Sequence, residues 1–190
     1  MKIFQRGALS TLLAFTGMTY ELIYSQWLSA ILGGTLFRYS VTIGLFTFCL
    51  GLSAIAFDYF ENRWLKFLSL KWINLFIIIV GSFSFIIYDY VFYLSEKKID
   101  NYFLTTIILH IPIVLIALAT GLELPILYHK LQESEKLKVL SFDYVGMFIA
   151  TILFPLLLLP QFGIKVTLIL NLFLQLFCFL PIKYYKGRDH

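Results

Sequence analysis

Six apolar runs, each long enough to cross a hydrocarbon core about 30 Å thick, take up most of the 190 residues. They are Leu9–Leu32, Leu36–Phe57, Trp72–Leu94, Tyr102–Tyr128, Val139–Pro160 and Gly163–Ile182. Together they leave 52 residues for every loop and both ends. A separate soluble domain needs at least about 50 contiguous residues, so none fits. The pattern predicts an all-α, polytopic membrane bundle of six helices, a single unit over residues 1–190.

Short turn signals separate several runs: Gly33-Gly34-Thr35, Ser95 to Asn101, and Pro160 to Gly163. Two connections are longer and more polar. Asp58 to Lys71 sets Phe60, Trp64, Phe67 and Leu68 against Glu61, Arg63 and Lys66, the spacing of an amphipathic segment lying in the interface. Its alternative is a partner surface around Trp64 and Phe67. The stretch His129 to Lys138 reads as a solvated hairpin, with Lys136 and Lys138 available to another protein.

Composition agrees with the pattern. Hydrophobic residues make up 60% of the chain and charged ones 14%, and the mean hydropathy is +0.86. Soluble domains use roughly 45 to 50% apolar residues. The opening segment is not read as a cleaved signal, because the apolar run exceeds the usual 7 to 15 residues and lacks an A-x-A-like site. Eleven of the fifteen Lys and Arg residues fall on one side of the predicted bundle, with both termini. The positive-inside rule makes that side cytoplasmic. A net charge of +4 is then the charge of loops facing an anionic leaflet, and no nucleic-acid motif competes with that reading. Cys49 and Cys178 lie within spans, far from any second thiol or His at ligand spacing, so no disulfide, metal or cofactor is expected.

Three carboxylates break the apolar runs. An acid at a helix centre costs about 2.5 to 3.5 kcal/mol on insertion scales, so each needs a reason. Glu21, in Tyr20-Glu21-Leu22-Ile23-Tyr24-Ser25, is the thirteenth of 24 residues in its span. Its helical face carries Ser10, Ala14, Gly17, Tyr24, Ser25 and Leu28, a stripe suited to close packing, so Glu21 is expected to point inward. Glu123 sits in Gly121-Leu-Glu-Leu-Pro125, where Pro125 removes a backbone donor. Asp143 opens the fifth span and shares a face with Gly146 and Ala150. The short loop between the fourth and fifth spans should make them neighbours, with Glu123 and Asp143 at one depth.

Two readings of the acids stay open. In one they bind an amine or relay protons; in the other Glu21, protonated or hydrogen-bonded to a neighbouring Tyr, Ser or Asn171, fixes helix register. His110 is read as a helix contact. The short Glu-Leu matches in the first and fourth spans hint at two inverted sets of three helices, a hint that chance similarity also explains. No Gly-rich phosphate loop, H-E-x-x-H or G-x-S-x-G motif supports enzyme chemistry.

The segment from Ala14-Phe-Thr-Gly17 through Tyr20-Glu21 and Gln26-Trp27 to Gly51-Leu52 resembles the opening helices of the membrane module in spermidine-synthase-like bacterial proteins. So do Gly121-Leu-Glu123-Leu-Pro125, Asp143-Tyr-Val-Gly146 and Phe154-Pro155 to Pro160-Gln-Phe-Gly163, in the same order and at similar spacing. The family's usual basic residue after the Tyr-Glu pair is Gln26 here. The resemblance implies a bacterial inner-membrane protein. In that family an aminopropyltransferase domain usually follows the module, and this sequence ends about where it would begin. The leading expectation is therefore a non-enzymatic accessory or chaperone-type protein that binds another integral membrane complex, such as a flagellar stator. The alternatives are a small polyamine or cation transporter or sensor, and a membrane anchor for a separate aminopropyltransferase.

Overall fold

The computed structural model describes residues 3–64, 69–95, 102–129 and 131–185, and among them there is no strand. The chain forms α1 (Ile3–Leu32), α2 (Thr35–Trp64), α3 (Leu70–Ser95), α4 (Tyr102–Tyr128), α5 (Glu133–Leu153) and α6 (Leu159–Tyr185), with one π-helical turn, Phe154–Leu158, joining the last two. Four stretches, Leu36–Tyr59, Leu70–Tyr93, Phe103–Tyr128 and Glu133–Phe179, are long and apolar enough to cross a membrane. Their outer faces present Phe48, Ile55, Phe83, Ile86, Phe148 and Phe173, all exposed. Aromatic and aliphatic side chains turned outward suit a hydrocarbon solvent, whereas backbone polar groups are satisfied within each helix.

Helix α1 is not one of the four, and its environment explains why. Almost every residue from Leu13 to Ser29 is buried among other helices, including Thr16, Thr19, Tyr20, Glu21, Tyr24 and Ser25. A helix without a broad lipid face can carry polar groups, which lower its hydropathy, provided its neighbours accept them. They do. Ser10 Oγ donates to Asp143 Oδ1 at 2.8 Å, Thr11 Oγ1 to the Phe142 carbonyl at 2.9 Å, and Asn171 Nδ2 to the Thr16 carbonyl at 3.1 Å. Tyr24 Oη and Ser84 Oγ lie 2.5 Å apart.

Turns and breaks follow glycine. Gly33 and Gly34 both sit in the left-handed region, at φ 70° and 63°, which reverses the chain between α1 and α2 at little steric cost. Gly163, at φ 68° and ψ 176°, breaks the long helical stretch after α5. At 1.5 Å per residue the 47 residues Glu133–Phe179 would run about 70 Å, twice the apolar thickness of a bilayer. Since α5 and α6 both pack along α1, the chain folds back at this glycine. Thr167 Oγ1 clasps the break by donating to the Leu158 and Gly163 carbonyls at 3.1 and 2.7 Å.

Three sequence expectations change here. The polar stretch His129 to Lys138 is not a hairpin loop: α5 begins at Glu133, where Glu133 and Glu135 suit the positive helix end and Glu135 Oε2 accepts from the Gln132 amide at 3.4 Å. Lys136 and Lys138 therefore stand on its first turns, with Lys136 paired to Glu133 at 2.7 Å. Asp143 consequently lies three turns inside α5 and does not open it. The segment after Asp58 continues α2 as far as Trp64, while the Trp64 side chain and Phe67 lie outside the described residues.

Helix pairing has an exchange pattern. α1 packs on α5 and α6 as α4 packs on α2 and α3, and α3 meets α6 between them. α1 and α4 are antiparallel: Arg6 Nη1 reaches the Leu127 carbonyl at 3.4 Å, and Gly17 abuts the Thr120 methyl. Glycines set the closest approaches. A Cβ added to Gly146 would come within 3.0 Å of the Thr11 Cα, and one on Gly121 within 2.9 Å of the Leu50 Cα. Gly146→Leu is expected to destabilise the bundle by about 1–3 kcal/mol, as overpacking does, seen as a lower unfolding temperature in detergent. Gly44→Ala, where the added carbon meets open space, is the control and should leave that temperature within experimental scatter.

Candidate functional site

The exchange pattern fails at one place. α1 packs on α2, but the corresponding pair, α4 and α5, has no such extensive contact among the described residues. The expectation that these helices are packed neighbours is corrected. Their short connection brings the ends together, while their bodies face each other across a cavity of about 410 Å³.

Glu21, Glu123 and Asp143 all line this cavity. α1 and α4 cross at Gly17 and Thr120, and the antiparallel arrangement sends Glu21 and Glu123 in opposite directions from that point. With 1.5 Å per residue, the two acids are offset by about 10 Å along the bundle. Asp143 is held at the level of Ser10, about 6 Å beyond Glu123 on the Arg6 side. The three carboxylates thus form a staggered row. Between them the wall is apolar, with Leu13, Met18, Phe46, Leu50, Leu124 and Met147. Among the described residues, no Lys or Arg lines the cavity.

Burial is greatest at the two central helices. Glu21 and Glu123 are each only 4% exposed, whereas Asp143 is half-buried. Glu123 lies within hydrogen-bonding range of Gln175 on α6, and Gln175 Nε2 donates to Asn74 Oδ1 at 2.5 Å. Asn74 Nδ2 in turn donates to the Gln175 carbonyl at 3.0 Å, closing an amide clasp between α3 and α6 behind the acid. Glu123 Oε1 has no hydrogen-bond partner, nor do Thr120 Oγ1 and Tyr128 Oη; all three atoms are buried, and all three residues line the cavity. Buried polar atoms are nearly always partnered, so three orphans on one helix around one cavity mark it as a site for something polar. The Asn171 expectation is corrected too: its amide bonds the Thr16 carbonyl and not Glu21.

The other predicted residues divide. Pro125 and Tyr128 line the cavity and a second one of about 320 Å³, which adds Asp58, His129 and Lys136 at the α4–α5 end of the bundle. Gly146 is not in the wall: it lets α5 approach α1 closely enough for Ser10 to reach Asp143. Tyr20 faces away, against Gly81, and stacks on Tyr24 at a centroid distance of 6.0 Å. The Ser25 hydroxyl donates to the Glu21 carbonyl of its own helix at 2.7 Å. His110 Nδ1 lies 2.6 Å from the Thr106 carbonyl, also a bond within its own helix. Lys138 is exposed on α5, away from both cavities. Thr120, Tyr128, Asn74 and Gln175 were missed by sequence reasoning, although amides inside apolar runs carry the same signal as acids.

Fold and site define an all-helical bundle of membrane-crossing composition around an acid-lined cavity. In sequence it is partly homologous to polyamine aminopropyltransferases, the spermidine-synthase-like proteins. It is 36% identical over 157 residues, 80% of the chain, to the polyamine aminopropyltransferase of Leptospira interrogans, and 30% identical over 165 residues, 83% of the chain, to that of Oceanobacillus iheyensis. With polyamine aminopropyltransferase 2 of Ralstonia nicotianae it shares 27% over 159 residues. The matched stretches are 30%, 31% and 29% of those proteins, so the chain spans about three tenths of the length of the curated relatives it matches. No family model matches the chain, and no solved structure does.

These relatives overturn the leading expectation. A non-enzymatic accessory or chaperone for a motor complex is not what the chain resembles, since the matched proteins all bear the name of an enzyme. The structural part of the site yields its own test. Asn74→Ala removes both hydrogen bonds of the clasp from a buried position and should cost about 1–3 kcal/mol. The double variant with Gln175→Leu should recover part of that loss, measured by thermal unfolding.

Proposed function

We propose that this chain is the membrane-embedded part of a polyamine aminopropyltransferase system. It works in the bacterial inner membrane as six spans with both termini on the cytoplasmic side. One observation carries the reading: 36% identity to a polyamine aminopropyltransferase across four fifths of this chain. The matched stretch is three tenths of that protein, so aminopropyl transfer is assigned to the system and not to the side chains of the bundle. The six-span topology is supported by the cationic loops, eleven Lys and Arg on one side against four on the other. It is also supported by the pairing of Arg6 with the C-terminal end of α4, and by the ion pair between Lys165 and Asp89.

The bundle's part in such a system is to hold the transfer chemistry at the membrane and to offer it a cavity reached from the α4–α5 end. Deleting the gene is expected to lower membrane-associated aminopropyltransferase activity and the cell's aminopropylated polyamines severalfold. Wild type restores both, and Gly146→Leu restores neither. Unchanged activity and an unchanged polyamine profile in the deletion strain would overturn the reading. For the topology, a green fluorescent protein fused to the C-terminus should fluoresce, and an alkaline phosphatase fused there should be inactive.

A further inference from the structure

We infer that the cavity between α1, α2, α4 and α5 is a binding site for a linear aliphatic polyamine, with Glu123 as the deep ammonium acceptor and Asp143 and Glu21 beyond it on either side. The choice of a polyamine among alkylammonium compounds rests on the function proposed above; the site itself rests on geometry. Three carboxylates line one cavity, and their backbone positions are staggered by about 6 and 10 Å along the bundle, from helical rise and the observed contacts. The wall between them is mostly hydrocarbon, and among the described residues no Lys or Arg side chain lines it. A ligand that complements such a row carries positive nitrogens separated by methylenes. Four methylenes between two nitrogens span about 6 Å, from bonds near 1.5 Å and angles near 111°.

The independent observation is Glu123 itself. Its side chain is 96% buried, it lines the cavity, and its Oε1 has no partner, while Thr120 Oγ1 and Tyr128 Oη on the same helix are also unpartnered. A primary ammonium has three donors and no acceptor, so one nitrogen can serve several such oxygens together. A small metal ion fits less well, because the acids are strung out and do not converge, and no group of three ligating side chains clusters among the described residues. Entry runs through the second cavity, which shares Ala54, Pro125 and Tyr128 with the first and brings Asp58 and His129 to its mouth.

The test is equilibrium binding of labelled spermidine and putrescine to the purified chain in phosphatidylcholine nanodiscs, with n-butylamine as competitor. Wild type is expected to bind saturably, and the monoamine to compete poorly. Glu123→Gln should raise Kd at least about tenfold, equivalent to about 1.4 kcal/mol. Gly51→Leu is the second variant. Gly51 lines the cavity with open space where a side chain would start, so leucine fills the site without altering a charge or the helix. It should weaken binding by a similar factor while the unfolding temperature holds. Asp89→Asn, at the ion pair with Lys165 and away from the cavity, should bind as wild type does.

Absence of saturable binding by folded wild type overturns the inference, as does equal loss in Asp89→Asn, or no loss in both Glu123→Gln and Gly51→Leu. Binding that disappears in phosphatidylethanolamine nanodiscs assigns the cavity to a lipid ammonium and overturns it too. Binding is read without any transferase activity, so a failed deletion experiment and a failed binding experiment remain distinguishable.

Discussion

Everything in this bundle depends on how α1 disposes of its polar groups. In a hydrocarbon medium an unpartnered hydroxyl, amide or carboxylate has no water to turn to, and the penalty reaches several kcal/mol. α1 carries many such groups: Thr16, Thr19 and Ser25 turn their hydroxyls onto carbonyls of their own helix, while Ser10, Thr11 and Tyr24 reach neighbouring helices. Ser10 bonds α5, the Thr16 carbonyl accepts from Asn171 on α6 and Tyr24 pairs with α3, so each hydrogen bond also fixes the rotation of a partner helix. The outer helices can then be apolar on their exposed faces. Tyr24, Tyr88 and Trp27 add aromatic contacts at 4.9 to 5.4 Å, and the Tyr88 hydroxyl donates to the Leu109 carbonyl, tying α3 to α4.

Against that rule Glu123 stands out. It has the amide clasp of Asn74 and Gln175 beside it and lines a cavity, and its Oε1 is without a partner. Tyr20 Oη on α1 is also without a partner, but α4 carries three such oxygens, all on residues that line the cavity. The difference is the missing α4–α5 contact. Where the exchange pattern of the two helix triplets is complete, helices close on one another through glycines; where it lapses, a lined space remains.

Much of the fold was legible in the sequence, because apolar runs of span length state their own position. Each of α1 to α4 contains one of those runs, but α1 begins before Leu9 and α2 continues past Phe57 to Trp64. The start of α5 was hidden, since Glu133 to Lys138 is a charged helical segment with no apolar periodicity to reveal it. The break at Gly163 was signalled by Pro160 and Gly163, while the π-helical turn at Phe154–Leu158 left no mark apart from Pro155. Of the site, the importance of the three acids could be read from the cost of burying them. That Glu21 shares a cavity with the other two could not, because it depends on α1 packing against α5, a contact more than a hundred residues apart. Nor could the absence of packing between α4 and α5, since a short loop says which ends meet and nothing about how far the bodies diverge.

One consequence concerns the mounting of α5. Among the described residues this helix packs extensively on α1 and on its own continuation, but not on α2 or α4. It is a wall fastened along one edge. The gap it leaves is therefore set by a single seam, the line where Gly146 meets the backbone at Thr11 and Ser10 meets Asp143. One added carbon at that seam displaces a carboxylate a full turn away, so the spacing of the acids is written into a glycine that touches none of them.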